Sequence, residues 1–155
     1  MAKIKRKKPR PTLAALKKRA WKLLSEVIRR EAAQECSPWA KYITCYTCGA
    51  NAFWKEMQAG HAIGGRTGAV LLDEEIIRPQ CYRCNVALRG NYPVFVTKLI
   101  REKARYMPVP EEHKLTEAMA WWEVKLQASH QIRKWTCSEL EIKIVELKDR
   151  LSKLS

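Results

Sequence analysis

The sequence predicts an α+β protein that is mostly helical, with a small zinc-stabilised core between flanking N- and C-terminal helices. Two observations lead to this fold class. Apolar residues recur at helical spacing near both ends of the chain. Between them stand two Cys-x-x-Cys pairs, the arrangement of a zinc site with four thiolate ligands: Cys45 with Cys48, and Cys81 with Cys84.

Composition favours a nucleic acid as the partner. The chain has 155 residues, enough for one domain with extensions, and 46% of them are hydrophobic. Thirty Lys and Arg against sixteen Asp and Glu leave a net charge of +14, which favours a polyanionic partner. No secretory signal pattern or membrane-spanning apolar run is present. We therefore expect a soluble cytoplasmic protein with no membrane association.

The N-terminal part is strongly basic. Residues 1–11 form a proline-broken segment that we expect to be a disordered tail. Residues 12–36 form an amphipathic helix, with Thr12 as a plausible N-cap. The basic side chains of this part are candidate DNA contacts, although on the helix a solvated polar face is an equally good interpretation: Lys5, Arg6, Lys7, Lys8, Arg10, Lys17 and Lys18.

Residues 37–108 contain the predicted metal core. Short apolar runs broken by glycines indicate short strands and tight turns over residues 39–91. A helix follows from Pro93, which suits a first helical turn, to about Met107, where Pro108 and Pro110 interrupt the chain. This region is therefore the α+β part of the chain.

A zinc ion bound by all four cysteines of the two pairs is closed to substrate, so its predicted role is structural. Two disulfides are the alternative, but Cys-x-x-Cys pairs without a secretory signal favour thiolates. Cys36 and Cys137 have no nearby cysteine and are expected to be small buried hydrophobic residues.

The C-terminal region, residues 109–155, is expected to be helical. A helix over residues 115–134 places Trp121, Trp122 and Leu126 in the core, and a second helix starts at Thr136 or Ser138. Five apolar residues then form a coiled-coil-like seam: Leu140, Ile144, Leu147, Leu151 and Leu154. The seam spans about two heptads, so packing within the chain and homodimerisation remain alternatives.

His61 and Asn85 are the residues between or beside the cysteine pairs that suit catalysis. His61 lies in the loop that the cysteines close, and Asn85 directly follows Cys84. A lone histidine is often only a hydrogen-bonded structural residue, and an asparagine in this position is often a helix N-cap. The residues around His61 and Asn85 bear on the choice between a catalytic and a structural role.

The surrounding motifs resemble those of the phage NinG (Rap) recombination nucleases, from about Lys41 to the C-terminus. The resemblance rests on Cys-x-x-Cys, then Gln58-Ala59-Gly60-His61, then residues 78–85 with the second pair, and Gly90-Asn91. The order also resembles the phage endonuclease VII family. Both resemblances imply a ββα-metal core of the HNH type, which is treble-clef-like, and the second implies a dimer.

The resemblance implies specific roles for two side chains. His61 matches the general base that takes a proton from the attacking water, and Asn85 matches a ligand of the catalytic Mg²⁺ or Mn²⁺. The chain departs from many such cores in having Gly60 before the base and Ile76 before the second cysteine pair. Asp73 is the nearest acidic residue that could replace the missing metal ligand, although an acidic turn residue is the simpler interpretation.

Arginines near the cysteine pairs are candidates for binding the DNA backbone, because guanidinium groups bind phosphate oxygens in a bidentate manner. Ordinary surface arginine is the alternative for each of them. With one asparagine that belongs to the resemblance, the candidates in this region are Arg66, Arg78, Arg83, Arg89 and Asn91.

The sequence and its resemblance together predict a metal-dependent HNH endonuclease that hydrolyses phosphodiester bonds in DNA. Branched recombination intermediates such as Holliday junctions, and a phage protein acting in the cytoplasm of a bacterial host, follow from the resemblance alone. Two alternatives remain: a non-catalytic zinc protein that binds DNA, and an adaptor that recruits a recombination partner through the C-terminal seam.

Overall fold

The computed structural model describes residues 10–36, 41–64 and 68–154. It is an α+β structure that is mostly helical, as the sequence predicts. Four helices and four short strands occur in the described part of the chain, in the order α1 (Leu13–Cys36), β1 (Tyr42–Thr44), β2 (Asn51–Phe53), β3 (Gln58–His61), β4 (Ile77–Gln80), α2 (Tyr92–Arg105), α3 (Glu111–Ser129) and α4 (Cys137–Lys153).

Helix α1 begins where the sequence predicts. The Ala15 backbone N–H donates to Thr12 Oγ1 over 3.2 Å, so Thr12 satisfies one of the unpaired donors of the first turn. The apolar stripe of the helix is buried along its length: Leu16, Ala20, Leu24 and Val27. This stripe faces α4, which packs along α1 over much of its length.

Helix α4 begins after Thr136 rather than after Ser138. The Glu139 backbone N–H donates to Thr136 Oγ1, and the Glu139 carboxylate accepts from the Thr136 backbone N–H, which forms a capping box. The predicted seam then packs within the chain, since Leu140, Ile144 and Leu147 are buried in the core with α1. The structure therefore shows the intramolecular alternative for these residues, whereas self-association stays untested.

Ion pairs reinforce this packing. Arg150 of α4 donates to both carboxylate oxygens of Glu31 on α1 and to both of Glu74, with N···O distances of 2.7–3.0 Å. Lys143 also donates to Glu74 over 2.9 Å. Glu74 belongs to a 3₁₀ turn, Glu74–Ile76, that leads into β4. These ion pairs therefore connect the 3₁₀ turn to α4, and through Arg150 to α1.

The strands form two separate antiparallel hairpins. β1 pairs with β2, and β3 pairs with β4 in a register that places His61 opposite Ile77. After β4 the chain makes a π-helical turn, Arg83–Ala87, before α2 begins. Asn91 precedes α2 with a left-handed φ of 48°, and Pro93 lies in the first turn of the helix as predicted.

The C-terminal helices differ from the sequence prediction in two places. Helix α3 ends at Ser129, and although Trp122 is buried, Leu126 is 37% exposed, so its predicted place in the core is wrong. Cys137 is exposed at the first residue of α4 instead of buried, although its spacing of three from Leu140 continues the apolar stripe. The side chain of Cys36 lies outside the described residues. None of the helices in the described ranges has the length and apolar character needed to cross a bilayer.

Candidate functional site

The four paired cysteines come together at one point, which we call the cysteine cluster. Cys45 follows β1 in a tight turn, closed by a hydrogen bond from the Gly49 N–H to the Cys45 carbonyl over 3.0 Å. Gly49 has a φ of 77°, which only glycine adopts without strain. A hydrogen bond from the Tyr46 N–H to the Pro79 carbonyl, 2.8 Å, joins this turn to the end of β4, where Cys81 follows.

The cysteine cluster has the dimensions of a four-thiolate metal site. Its four Sγ atoms all lie within 4.8 Å of one another, and Cys48 Sγ is 3.8 Å from Cys81 Sγ. Sulfurs placed about 2.3 Å from a tetrahedral zinc ion are about 3.8 Å apart, so the donor set fits zinc. All four cysteines are free thiols, which leaves the disulfide alternative without support. The cluster can therefore hold a metal ion such as zinc.

The thiols of the cysteine cluster differ in how readily they ionise. Burial opposes ionisation of Cys45, but hydrogen bonds from the backbone N–H groups of Cys48 and Cys81, and from Thr47, outweigh it and lower the Cys45 pKa to about 6. Burial, with the neighbouring cysteine side chains, raises the pKa of Cys81 to about 12. Because thiolates at this spacing repel one another, a bound cation is what would allow all four to ionise.

A buried glutamine connects the cysteine cluster to the adjoining strand β3. Gln80 is fully buried, and its Nε2 donates to the Thr47 hydroxyl over 3.2 Å and to the Gly90 carbonyl over 2.8 Å. Its Oε1 has no hydrogen-bond partner among the described residues. That oxygen lies against Gly60, where an added Cβ would be 2.0 Å from it. Gln80 therefore fills the space that a side chain at position 60 would need.

The packing of Gln80 explains the departure at position 60 that the sequence shows. The HNH cores that the sequence resembles often carry an acidic residue or a histidine at the position that Gly60 occupies here. Here the side chain of such a residue would overlap the Gln80 amide, which is fixed by two hydrogen bonds. A metal ligand at position 60 is thus incompatible with a buried glutamine at position 80.

His61, at the end of β3, is buried and held on two sides. Its ring stacks on the indole of Trp21 from α1, with centroids 4.6 Å apart and an angle of 26° between the planes. Its Nε2 lies 3.2 Å from the Leu71 carbonyl oxygen. Because a carbonyl only accepts hydrogen bonds, Nε2 carries the hydrogen of the neutral ring and Nδ1 carries the lone pair.

His61 and Asn85 line the same cleft, which has a volume of about 760 Å³. Asn85 lies within the π-helical turn, and its Nδ2 donates to Gln58 Oε1 over 2.6 Å. The N-cap of this turn is Tyr82 and that of α2 is Asn91, so the alternative that Asn85 is a helix N-cap is wrong. The interaction with Gln58 ties the turn to β3, the strand that carries His61.

Sequence reasoning missed several residues of this cleft. Trp21, Ser25 and Arg29 of α1 stand four residues apart and form one wall. That spacing is visible in the sequence, but nothing in it shows which element the stripe faces. The other described residues that line the cleft with polar or aromatic side chains are Lys55, Glu56, Gln58 and Tyr92.

Two of the predicted site residues have other roles. Arg78 donates to Glu102 Oε1 over 2.7 Å and to the carbonyl oxygens of Glu74, Glu75 and Ile77, so its guanidinium stabilises the fold rather than standing ready for phosphate. Asp73 does not line the cleft. It accepts from the Glu75 N–H as the cap of the 3₁₀ turn and forms an ion pair with Lys125.

The remaining candidate DNA contacts differ in solvent exposure. Arg10, Lys18, Arg83 and Arg89 are exposed, whereas Lys17 and Asn91 are half-buried. The exposed pair Arg83 and Arg89 flanks Asn85 in sequence. The candidates that lie outside the described residues are Lys5, Arg6, Lys7, Lys8 and Arg66.

No family model, curated protein or solved structure matches this chain.

Proposed function

We propose that this chain is a metal-dependent endonuclease of the HNH type that hydrolyses phosphodiester bonds in DNA, with His61 as general base and Asn85 as a ligand of Mg²⁺ or Mn²⁺. The observation that carries the proposal is that His61 and Asn85 line one cleft beside the cysteine cluster. In this proposal zinc in the cluster is structural, since four thiolates leave no position for water.

The environment of His61 suits a general base. The Leu71 carbonyl orients the imidazole so that Nδ1 has the lone pair, and stacking on Trp21 restricts rotation of the ring. A histidine held in one tautomer is ready to take a proton from water without first reorienting. The antiparallel hairpin β3–β4 followed by a helical turn is the strand–strand–helix order that the HNH resemblance implies.

Oxygen ligands for a divalent cation are present in the cleft. Asn85 uses Nδ2 for its bond to Gln58, so its Oδ1 is the atom that would contact the cation. Among the described residues that line the cleft, Glu56 supplies the one carboxylate, and oxygen ligands are those that Mg²⁺ prefers. The cation would stabilise negative charge on the leaving oxygen. Glu56 replaces Asp73 as the proposed acidic ligand.

DNA as the substrate is supported by charge. The chain carries +14, and the exposed Arg83 and Arg89 lie next to the turn that holds Asn85. Lys55 adds a cation to the cleft itself. Branched recombination intermediates, a phage origin, a bacterial host and a homodimer rest on the resemblance to NinG and endonuclease VII.

The test is cleavage of linear, flapped, single-stranded and four-way DNA in Mg²⁺ and in Mn²⁺. We expect His61→Ala to reduce the cleavage rate roughly 10²- to 10⁴-fold while DNA affinity is unchanged, since loss of a general base removes about that much. His113→Ala is the matched control, because His113 is an exposed histidine on α3. It should cleave like the wild type.

A non-catalytic zinc protein that binds DNA is the rival outcome of this experiment. It predicts binding of all substrates but no nicking by the wild type with either ion, and no difference between the wild type and His61→Ala. Equal cleavage by the wild type and His61→Ala would also reject the proposed role of His61.

A further inference from the structure

We propose that the outer face of the β1–β2 hairpin is a stacking platform for unpaired bases of a DNA strand that continues into the cleft. This inference rests on the proposed function, because it names the substrate class of that same cleft as DNA with an unpaired segment. The platform consists of Tyr42 and Phe53, with Lys55 beside it. None of these residues was among the DNA contacts that the sequence suggested.

The hairpin has two unlike faces. On the inner face, Ile43 is fully buried in a small core with the cysteine cluster. On the outer face, Tyr42 and Phe53 stand directly opposite each other across the strands, with ring centroids 6.2 Å apart and an angle of 60° between the planes. Tyr42 is 66% exposed, so its ring is available to a ligand rather than used in packing.

Cations surround the aromatic side chains at this end of the hairpin. Lys55 Nζ lies 5.7 Å from the centroid of the Phe53 ring and 5.5 Å from that of Trp54. The Arg30 guanidinium lies 5.6 Å from the centroid of Trp54, but it also donates to the Leu154 carbonyl over 2.6 Å and pairs with Glu26. Lys55 is therefore the cation of this group that is available to a phosphate. Aromatic rings that stack on bases, with a basic side chain such as Lys55 beside them for the phosphates, form the usual composition of a surface that binds single strands.

The platform is continuous with the cleft. Lys55 both contacts the Phe53 ring and lines the cleft that contains His61. The chain between the hairpin and β3, residues 54–57, is fixed to α1, because Arg29 donates to the carbonyl oxygens of Trp54, Lys55 and Met57. A strand held on the platform therefore passes a rigid wall that leads toward His61 and Asn85.

The chemistry favours unpaired nucleotides over duplex. Bases within a duplex are stacked on each other, so an exposed aromatic ring reaches a base face only where the strand is unpaired. Flaps, bulges and the strands at an opened branch point have such bases. No base-specific hydrogen bonding is required, so we expect little preference for sequence.

The test measures the affinity of the zinc-loaded full-length protein for a labelled oligothymidine and for a duplex, by fluorescence anisotropy without divalent cation other than zinc. We expect Tyr42→Ala to bind oligothymidine about tenfold more weakly, which is within the effect of losing one stacked base. Duplex affinity should change less than twofold. Tyr42→Phe, which keeps the ring, should bind like the wild type.

Tyr106→Ala is the matched control, because Tyr106 is 80% exposed at the end of α2 and does not line the cleft. It should bind both ligands like the wild type. Unchanged oligothymidine binding by Tyr42→Ala, or an equal loss for the duplex, would overturn the platform. Zinc content and circular dichroism of each variant establish that the hairpin is folded.

The two proposals fail in different ways. If the wild type nicks DNA but Tyr42→Ala binds oligothymidine like the wild type, the platform is wrong and the endonuclease proposal stands. If the wild type nicks no substrate, the endonuclease proposal fails. The binding experiment contains no catalytic cation, so the Tyr42→Ala result then still decides whether the hairpin binds unpaired bases.

Discussion

The helical frame, formed by α1 and α4, and the knuckle region, formed by the β1–β2 hairpin and the cysteine cluster, are stabilised in different ways. The frame shares a core in which seventeen residues of the described chain are buried. The core of the knuckle region has five buried residues, and two of them are the cysteines Cys45 and Cys84. Apolar burial therefore stabilises the frame, whereas the knuckle region has too little of it to fold alone.

The candidate site lies where these two regions meet. The cleft is bounded by both regions, since α1 contributes Trp21 and Arg29 while the turn after Cys84 contributes Asn85. A metal ion in the cysteine cluster would fix that turn without the large side chains that a hydrophobic core needs. The polar residues of the cleft can then stand close to the surface on a rigid support.

Loss of the metal is the change with the largest expected effect. Cys81→Ser, or chelation of zinc, should unfold the knuckle region, because structural zinc contributes on the order of 10 kcal/mol to folding of small sites. Helices α1 and α4 should persist, since their shared core contains no cysteine. Circular dichroism with zinc analysis and hydrogen exchange would measure this. Helicity that disappears together with the zinc would contradict the separation of the two regions.

Removing a buried side chain of the α4 seam should destabilise the helical frame and leave the cysteine cluster intact. Leu147 of α4 is fully buried in the core. Leu147→Ala should therefore lower the free energy of unfolding by about 2–5 kcal/mol while zinc content stays at one per chain. Val145→Ala, 68% exposed on the same helix, should change it by less than about 0.5 kcal/mol. Urea unfolding of the zinc-loaded protein provides the measurement.

Because Leu147 is buried, a substitution at this position tests packing of the core and not self-association. Equal stability of Leu147→Ala and the wild type would mean that the seam is not packed as described.

Gly60→Ala should have an intermediate effect, of about 1–3 kcal/mol, because the new Cβ would overlap Gln80 Oε1. Gln80→Ala removes the obstacle, so the double variant should be less destabilised than the sum of the single variants. A double-mutant cycle by urea unfolding measures this coupling. Additive effects would show that the strand and the glutamine do not compete for the space.

The smallest expected effect concerns Glu75. Burial opposes its ionisation, but hydrogen bonds from Lys103 and Lys125 prevail and lower the Glu75 pKa to about 2. The folded pKa is depressed, so the stabilisation is present above about pH 4.3, the usual value, and is lost as the pH falls toward 2. Because the side chain is 49% exposed, solvent screening limits the effect to about 0.2–1 kcal/mol.

Urea unfolding of wild-type and Glu75→Gln protein at pH 7, 5 and 3 tests this sign. The difference in free energy of unfolding between wild type and Glu75→Gln should be present at pH 7 and 5 and smaller at pH 3. Glu111→Gln, at a highly exposed ion pair on α3, is the control and should show no measurable difference at any of these pH values. A difference that grows as the pH falls would contradict the assignment.

Features that depend on nearby residues were predictable. Thr12 as the start of α1, Pro93 in the first turn of α2 and the buried seam of α4 follow from local spacing. The cysteine pairs also predict a metal site, because each pair is a local motif and thiolates need a cation. Whether the seam packed inside the chain was not predictable, since the same apolar stripe suits either partner.

Features that depend on distant residues were not predictable. Arg78 was a candidate for binding phosphate, with a structural role as the alternative, and Glu102, 24 positions away in sequence, accepts its hydrogen bond. Asp73 was considered as a metal ligand, but Lys125 from α3 pairs with it. Leu126 was placed in the core although α3 turns that position outward. In each case the surroundings of the side chain are set by an element that is distant in sequence, and local sequence does not specify them.

The sequence was enough to predict the four cysteines that can hold a metal ion, the helical frame and the two residues, His61 and Asn85, on which the proposed chemistry rests. Tertiary structure alone decided that these two residues line one cleft, that Trp21 stacks on the imidazole and that Gln80 excludes any side chain at position 60. The physical reason is range: capping, helical spacing and thiolate pairs act over a few residues, whereas a cleft forms only when separate elements pack.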